Sequence, residues 1–299
     1  MTTEEATLTD PDGVEVFYRR WMPDVPRAIV LVLHGMSEHS GRYDRFAEAL
    51  AGDGCAVYAL DHRGHGRTAG STGVGRTGPN GFDGVLGSVR ALHERARADL
   101  GDLPLVVFGH SMGSMITQAY VQRHGDHAGF ILSGTSGPNP ALGEMAAGLQ
   151  MVVDAGGGDD VLPLLSGFNE AFEPSRTPYD WLSRDGAEVD RYLADPYCGD
   201  EFGMTAGFVA GLLGMLAEAS APRAIESIAV GTPVLLVTGG ADPVSEGGET
   251  VRALEAAYRD AGLAVTAHYY ADARHEVLNE TNRDEVTDDI RSWLSEVLG

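Results

Sequence analysis

Leu105-Val106-Val107-Phe108-Gly109-His110-Ser111-Met112-Gly113 is the stretch that decides the fold. The apolar run Leu105–Phe108, entered after Pro104, has the composition of a strand buried on both faces. Met112 to His124 has helical composition and stops at Gly125. Between them, Gly109, Ser111 and Gly113 fit G-x-S-x-G, and the strand–turn–helix context is the one that presents a serine as a nucleophile. The glycines have a steric reason: a very tight turn leaves no room for neighbouring side chains. The helix that follows aims its amino end, with its free N–H groups, at the serine, where a tetrahedral oxyanion forms.

Working outward, the same strand–loop–helix rhythm repeats. Val14–Trp21 reads as an edge strand after the turn Asp12-Gly13. Ala28–Leu33 and Cys55–Leu60 read as strands buried on both faces, Phe130–Leu132 begins another, and Val234–Thr238 and Val265–Tyr270 are the last two. Helices are predicted over 43–52, 82–100, 112–124, 249–260 and 284–298. Buried apolar strands alternating with helices imply an α/β fold with a mostly parallel sheet covered on both faces. The rhythm breaks between Ser136 and Pro222, where a Gly-Gly-Gly run at 156–158, scattered prolines and helical pieces at 141–155 and 203–218 stand. The expected organisation is a core of residues 1–135 and 223–299 with an inserted cap, or lid, of residues 136–222.

A serine hydroxyl needs a base, and the base needs an acid to orient it and to stabilise its charged form. In the chain order Ser…Asp…His, the acid follows one late strand and the base the next. Asp242 follows Val234–Thr238 in a Gly-rich loop, and His275 follows Val265–Tyr270. His268 lies inside a strand and Asp272 precedes the base on its own loop, so both are weaker candidates. No carboxylate follows the strand that begins at Phe130. The oxyanion requires two backbone donors, for which the N–H groups of Met112 and Met36 are the candidates, with His34 bracing the loop. The Asp61–Gly66 segment holds His62 and His65 without a second ligand cluster and is read as a hydrogen-bonded loop, not a metal site. Gly73, Gly75 and Gly78 follow no strand at the spacing of a dinucleotide fingerprint.

Composition narrows the partners. The 299-residue chain carries 21 Lys and Arg against 44 Asp and Glu, a net charge of −23. Such a chain repels nucleic acid and acidic lipid headgroups. The two cysteines, Cys55 and Cys198, make no disulfide framework. The sequence shows neither a secretory leader pattern nor a membrane-spanning run, and a cytoplasmic setting is expected.

With these residues in hand, the sequence resembles the monoacylglycerol lipase and lysophospholipase-like branch of the α/β-hydrolases, a group that takes in the serine aminopeptidase-like hydrolases. The resemblance rests on HGMSEHSGRY at 34–43, DHRGHGRTAG at 61–70, GHSMGS at 109–114, TGGADPVS at 238–245 and ARHEVLNE at 273–280. It implies an α/β-hydrolase fold, a mobile cap over an acyl tunnel, no cofactor and hydrolysis of carboxylic esters. It carries Ser111, Asp242 and His275 into a triad and Met36 and Met112 into the oxyanion hole. The expected activity is that of a monoacylglycerol lipase or esterase on a small-molecule, single-chain acyl ester. Alternatives within the fold are a lysophospholipase, thioesterase, peptidase or acyltransferase; enzymes of this fold that use an aspartate nucleophile are disfavoured by serine at 111. Membrane or micelle contact is expected to be transient and through the cap, and the assembly a monomer or homodimer. Ser114 departs from the glycine of many relatives, and is expected only to adjust helix packing.

Overall fold

The computed structural model describes residues 1–162 and 165–299. Eight strands form one sheet: β1 (Thr2–Thr9), β2 (Glu15–Met22), β3 (Ala28–Leu33), β4 (Cys55–Leu60), β5 (Leu105–His110), β6 (Gly129–Ser133), β7 (Pro233–Gly239) and β8 (Ala264–Tyr270). Their spatial order is β1-β2-β4-β3-β5-β6-β7-β8. The first two pairings, β1 with β2 and β2 with β4, are antiparallel, and all the others are parallel.

Six consecutive apolar residues make β3 because each face of the strand meets a different layer. Ile29, Leu31 and Leu33 point into one core, with Val89, Ile116 and Leu254. Ala28, Val30 and Val32 point into the other, with Phe46, Ile290 and Trp293. The helices are α1 (Asp44–Gly52), α2 (Ala69–Thr72), α3 (Gly81–Leu100), α4 (Met112–Arg123), α5 (Leu142–Val152), α6 (Gly186–Ala194), α7 (Ala206–Ala219), α8 (Pro222–Ile225), α9 (Glu249–Asp260) and α10 (Arg283–Leu298), of which α1, α3, α4, α9 and α10 pack on the sheet. The core strands and helices agree with the sequence reading to within a residue or two at their ends.

The strand β1 was not expected. Its sequence, Thr2–Thr9, is mostly exposed, and only Ala6 and Leu8 pack on the core. Pairing with β2 holds it, reinforced by Glu4 with Arg20 (2.5 Å) and Glu5 with Arg19 (2.8 Å) across the ladder.

The connection from β6 to β7 carries α5, α6, α7 and α8. The apolar helix α7 is buried on most of its faces. Its Phe208, Val209 and Leu212 join the main core, and it packs against α4 and α5. A separate small core, with Leu165, Tyr179, Trp181, Leu182, Val189, Tyr192 and Cys198, forms in the same connection and packs on Met36 and Val244. Through it the insertion meets the loops at the carboxyl ends of β3 and β7.

Candidate active site

Ser111 stands at the turn between β5 and α4 with φ 50° and ψ −121°, a conformation that non-glycine residues rarely adopt. The two glycines explain why the turn closes. A Cβ on Gly109 would lie 2.3 Å from the carbonyl oxygen of Gly113, and one on Gly113 would lie 2.0 Å from that of Leu33. The end of β3, the end of β5 and the first turn of α4 therefore pass closer together than any side chain permits. The backbone is held by Ser111 N–H donating to Ser133 O (2.9 Å) and Ser114 N–H donating to Ser111 O (2.9 Å). The Ser114 hydroxyl does more than pack. It lies 2.5 Å from Ser111 O and 2.7 Å from the Thr135 hydroxyl, tying the turn to the loop after β6.

Asp242 and His275 meet as the sequence order implied. Asp242 Oδ1 lies 2.9 Å from His275 Nδ1, and both side chains are buried. With Nδ1–H donating to the carboxylate, Nε2 of His275 carries no proton and is free to accept one. Burial opposes a charge on this imidazole, but the Asp242 carboxylate outweighs it and the net effect raises His275 above its ordinary range. Asp242 is itself fixed by accepting Val244 N–H (2.9 Å).

Ser111 and His275 line one small cavity, together with Met36, Glu38, His110, Leu165, Trp181, Leu182, Tyr192 and Glu276. The wall contributed by the insertion is mainly apolar and aromatic. The apolar helix α7 contributes nothing to it. Trp181 covers the candidate base: the two ring centroids are 5.0 Å apart, and His275 N–H donates to Trp181 O (3.3 Å). His110, beside them, is held neutral, pushed down to about 4 by burial and by the neighbouring His275.

The loop after β3 presents Met36. His34 Nε2 accepts His62 N–H (2.9 Å), so its proton sits on Nδ1, which donates to Gly35 O (2.7 Å). Burial lowers His34 and keeps it neutral. In a trans peptide the N–H points opposite to the C=O. Fixing Gly35 O toward His34 therefore turns Met36 N–H the other way. Neither Met36 N–H nor Met112 N–H, at the start of α4, donates to another described residue.

Three charged residues that the sequence reading did not single out bind this loop to the base. Glu38 accepts Gly35 N–H (2.5 Å), Tyr43 O–H (2.8 Å) and Arg42 (2.9 Å). Arg42 also makes a bidentate pair with Glu276 (2.5 and 2.7 Å), the residue after His275. Burial pushes Glu38 up, but Arg42 overcomes it and brings the carboxyl down to about 2. Tyr192, whose ring lies 4.8 Å from the Arg42 guanidinium, donates its hydroxyl to Ser37 O (3.0 Å). The signal was present in the sequence as an acid and a base four residues apart, Glu38 and Arg42, and an acid adjoining the candidate base.

The weaker candidates lie elsewhere. His268 faces Asp289 at 3.5 Å on β8, and Asp272 is exposed. His62 and His65 meet His34 edge to face, at 4.5 and 5.3 Å between ring centroids, within the loop core. Among the described residues, His39, Asp195 and Cys198 bring cation-binding atoms within 4.8 Å of one another. Here His39 Nε2 is spent on Asp195 (3.0 Å), and burial pushes the Cys198 thiol up, away from the thiolate a metal takes. No helix among the described residues is long and apolar enough to cross a membrane.

Residues 24–282 match the family model described as serine aminopeptidase, S33. A monoacylglycerol lipase of Mycolicibacterium smegmatis is 34% identical over 98% of this chain and 97% of its own. The monoglyceride lipase of Homo sapiens is 31% identical over 97% of this chain and 89% of its own. Among solved structures, a thermostable carboxyl esterase from Bacillus coagulans, in complex with glycerol, superposes with a TM-score of 0.93 at 30% identity, with both chains covered completely.

Proposed function

The chain belongs to the serine aminopeptidase, S33 family and is a hydrolase, and we propose that it cleaves a single-chain acyl ester, a monoacylglycerol above all, through an acyl-enzyme on Ser111. One observation carries this reading: Ser111, on its strained turn, shares a small cavity with His275, which Asp242 holds by Nδ1. The similarity to monoacylglycerol lipases over nearly the whole chain supports the choice of ester.

In this mechanism His275 Nε2 takes the proton of the Ser111 hydroxyl as Oγ attacks the ester carbonyl. The oxyanion is held by Met36 N–H and Met112 N–H. Asp242 stabilises the imidazolium, which then protonates the leaving alcohol. Water, activated by the same imidazole, releases the acid and restores Ser111.

Residues 136–222 act as the cap. The closed space beside Ser111 is only about 20 Å³, far short of a ligand site, so an acyl chain enters only when the cap shifts. Burial of each CH₂ of the chain contributes about 0.8 kcal/mol. The acidic surface favours neutral substrates over anionic ones, and the two buried free cysteines accord with a reducing, cytoplasmic setting.

The test is hydrolysis of a monoacylglycerol series, nitrophenyl esters of matched chain length and a lysophosphatidylcholine by the protein and by Ser111→Ala. Monoacylglycerols should lead, and the substitution should lower kcat by roughly 10³-fold or more. Activity that survives Ser111→Ala contradicts the mechanism; a lysophosphatidylcholine turned over faster than the monoacylglycerol contradicts the substrate.

A further inference from the structure

The polar side chains around the cavity are nearly all committed. Glu38 serves Gly35, Tyr43 and Arg42. Glu276 serves Arg42, and the Tyr192 hydroxyl serves Ser37 O. His110 Nδ1 lies 3.3 Å from the Ser133 hydroxyl. Trp181 differs from these. It is only 3% exposed, its ring forms part of the cavity wall, and its Nε1–H has no acceptor among the described residues. A buried N–H without an acceptor is destabilising, and buried indoles ordinarily find a partner.

The position of the indole indicates what it is for. Its ring lies over His275, whose imidazole hands a proton to the departing alcohol. A donor carried on the ring packed beside that imidazole belongs to the alcohol half of the substrate, not to the acyl chain. We infer that Trp181 Nε1–H is a substrate-binding donor that takes a hydroxyl oxygen of a polyol leaving group, and so selects glyceryl esters over simple alkyl esters. The inference rests on the esterase reading above and assigns one contact within that site. A site that hydrogen-bonds a substrate oxygen discriminates against an analogue lacking it, because its own polar group is then left unpaired.

Trp181→Phe tests this, since phenylalanine keeps an aromatic ring beside His275 and removes the donor together with the second ring, a loss of volume that both substrates meet alike. The readout is kcat/KM on two esters of one fatty acid, the 1-glyceryl ester and the propyl ester, which differ by two hydroxyls. The expected result is a loss of about 3- to 10-fold on the glyceryl ester, with the propyl ester changed less than about 2-fold. The smaller ring leaves a cavity at a residue only 3% exposed and lowers Tm, so the ratio of the two esters, not the absolute rate, is the readout. An equal fall on both esters, or no fall on either, overturns the inference. Fluorophosphonate labelling of Ser111 is measured alongside. Wild-type protein that neither labels nor cleaves either ester brings down the esterase reading and this contact with it, whereas labelling with unaltered selectivity brings down this contact alone.

Discussion

Asp242 gives His275 a single oxygen. Oδ1 lies 2.9 Å from Nδ1, 33 positions away in the chain, and also accepts Val244 N–H, while Oδ2 has no hydrogen-bond donor among the described residues. The carboxylate is thus a negative charge fixed in place beside the imidazole, with little of it neutralised by other donors. Asp242→Asn preserves the shape and removes the charge. The imidazolium loses its stabilising partner, and the amide no longer enforces the tautomer that leaves Nε2 open. Steady-state kinetics should show kcat lowered roughly 10³- to 10⁴-fold with a modest change in KM. A loss of less than about tenfold would contradict the assignment of the acid.

The pH dependence follows from the same pair. His275 acts as a base only when neutral, and it is raised above 6.5 by Asp242 against the opposing effect of burial. Activity should therefore rise with pH, with the midpoint of kcat/KM above 6.5. Glu276 and Glu38 also favour the charged form, so Glu276→Gln should move that midpoint downward, toward lower pH. His110, held neutral at about 4 and upward, does not titrate in this range. A pH–rate profile that is unmoved or moves upward in Glu276→Gln contradicts the electrostatic account.

Arg42 joins the loop of Glu38 to the loop of Glu276. Arg42→Gln leaves two buried carboxylates without their cation, at a cost of about 3–5 kcal/mol. The melting temperature should fall on the order of 10 °C. Lysine should restore only part of this, since it cannot make the bidentate contact to Glu276. Calorimetry of the three proteins measures it directly, and an unchanged Tm in Arg42→Gln would show that the network does not hold the loops together.

The glycines of the serine turn and those of α5 should respond to alanine in opposite ways. Gly113→Ala places a methyl group 2.0 Å from Leu33 O, where only backbone can yield. That change should lower stability by more than about 3 kcal/mol or prevent folding. Gly148→Ala, within α5, meets nothing within 4 Å and should stabilise by about 0.5–1 kcal/mol through helix propensity. Paired thermal melts decide the contrast; a tolerated Gly113→Ala would show that the turn has room the structure denies.

How much of this was legible in the chain depends on where each signal came from. Strands such as β3 and β4 were plain because burial on both faces leaves an unbroken apolar run. The helix α9 was plain because Val251, Leu254 and Tyr258 repeat at helical spacing. The serine turn and the loop bearing Asp242 were marked by glycines at strand ends, and His275 by its place after the last apolar strand, which a short-range reading detects. The strand β1 was not, because half of what holds it is a pairing with β2 and ion pairs to Arg19 and Arg20. Trp181 was not either. Its role comes from a fold that carries the insertion back over the ends of β5 and β8, a contact with no periodicity in the sequence. The helix α7 buries its apolar faces against α4 and α5, and the cavity wall is left to Leu165, Trp181, Leu182 and Tyr192.

The central claim is that the hydroxyl of residue 111 becomes covalently acylated or phosphonylated because residue 275 takes its proton. It is tested most directly by intact-mass and peptide mass spectrometry after reaction with a fluorophosphonate. The account predicts one adduct per chain, mapped to Ser111, absent in Ser111→Ala and formed orders of magnitude more slowly in His275→Ala. An adduct on another residue, or labelling of Ser111 at an undiminished rate without His275, would contradict it.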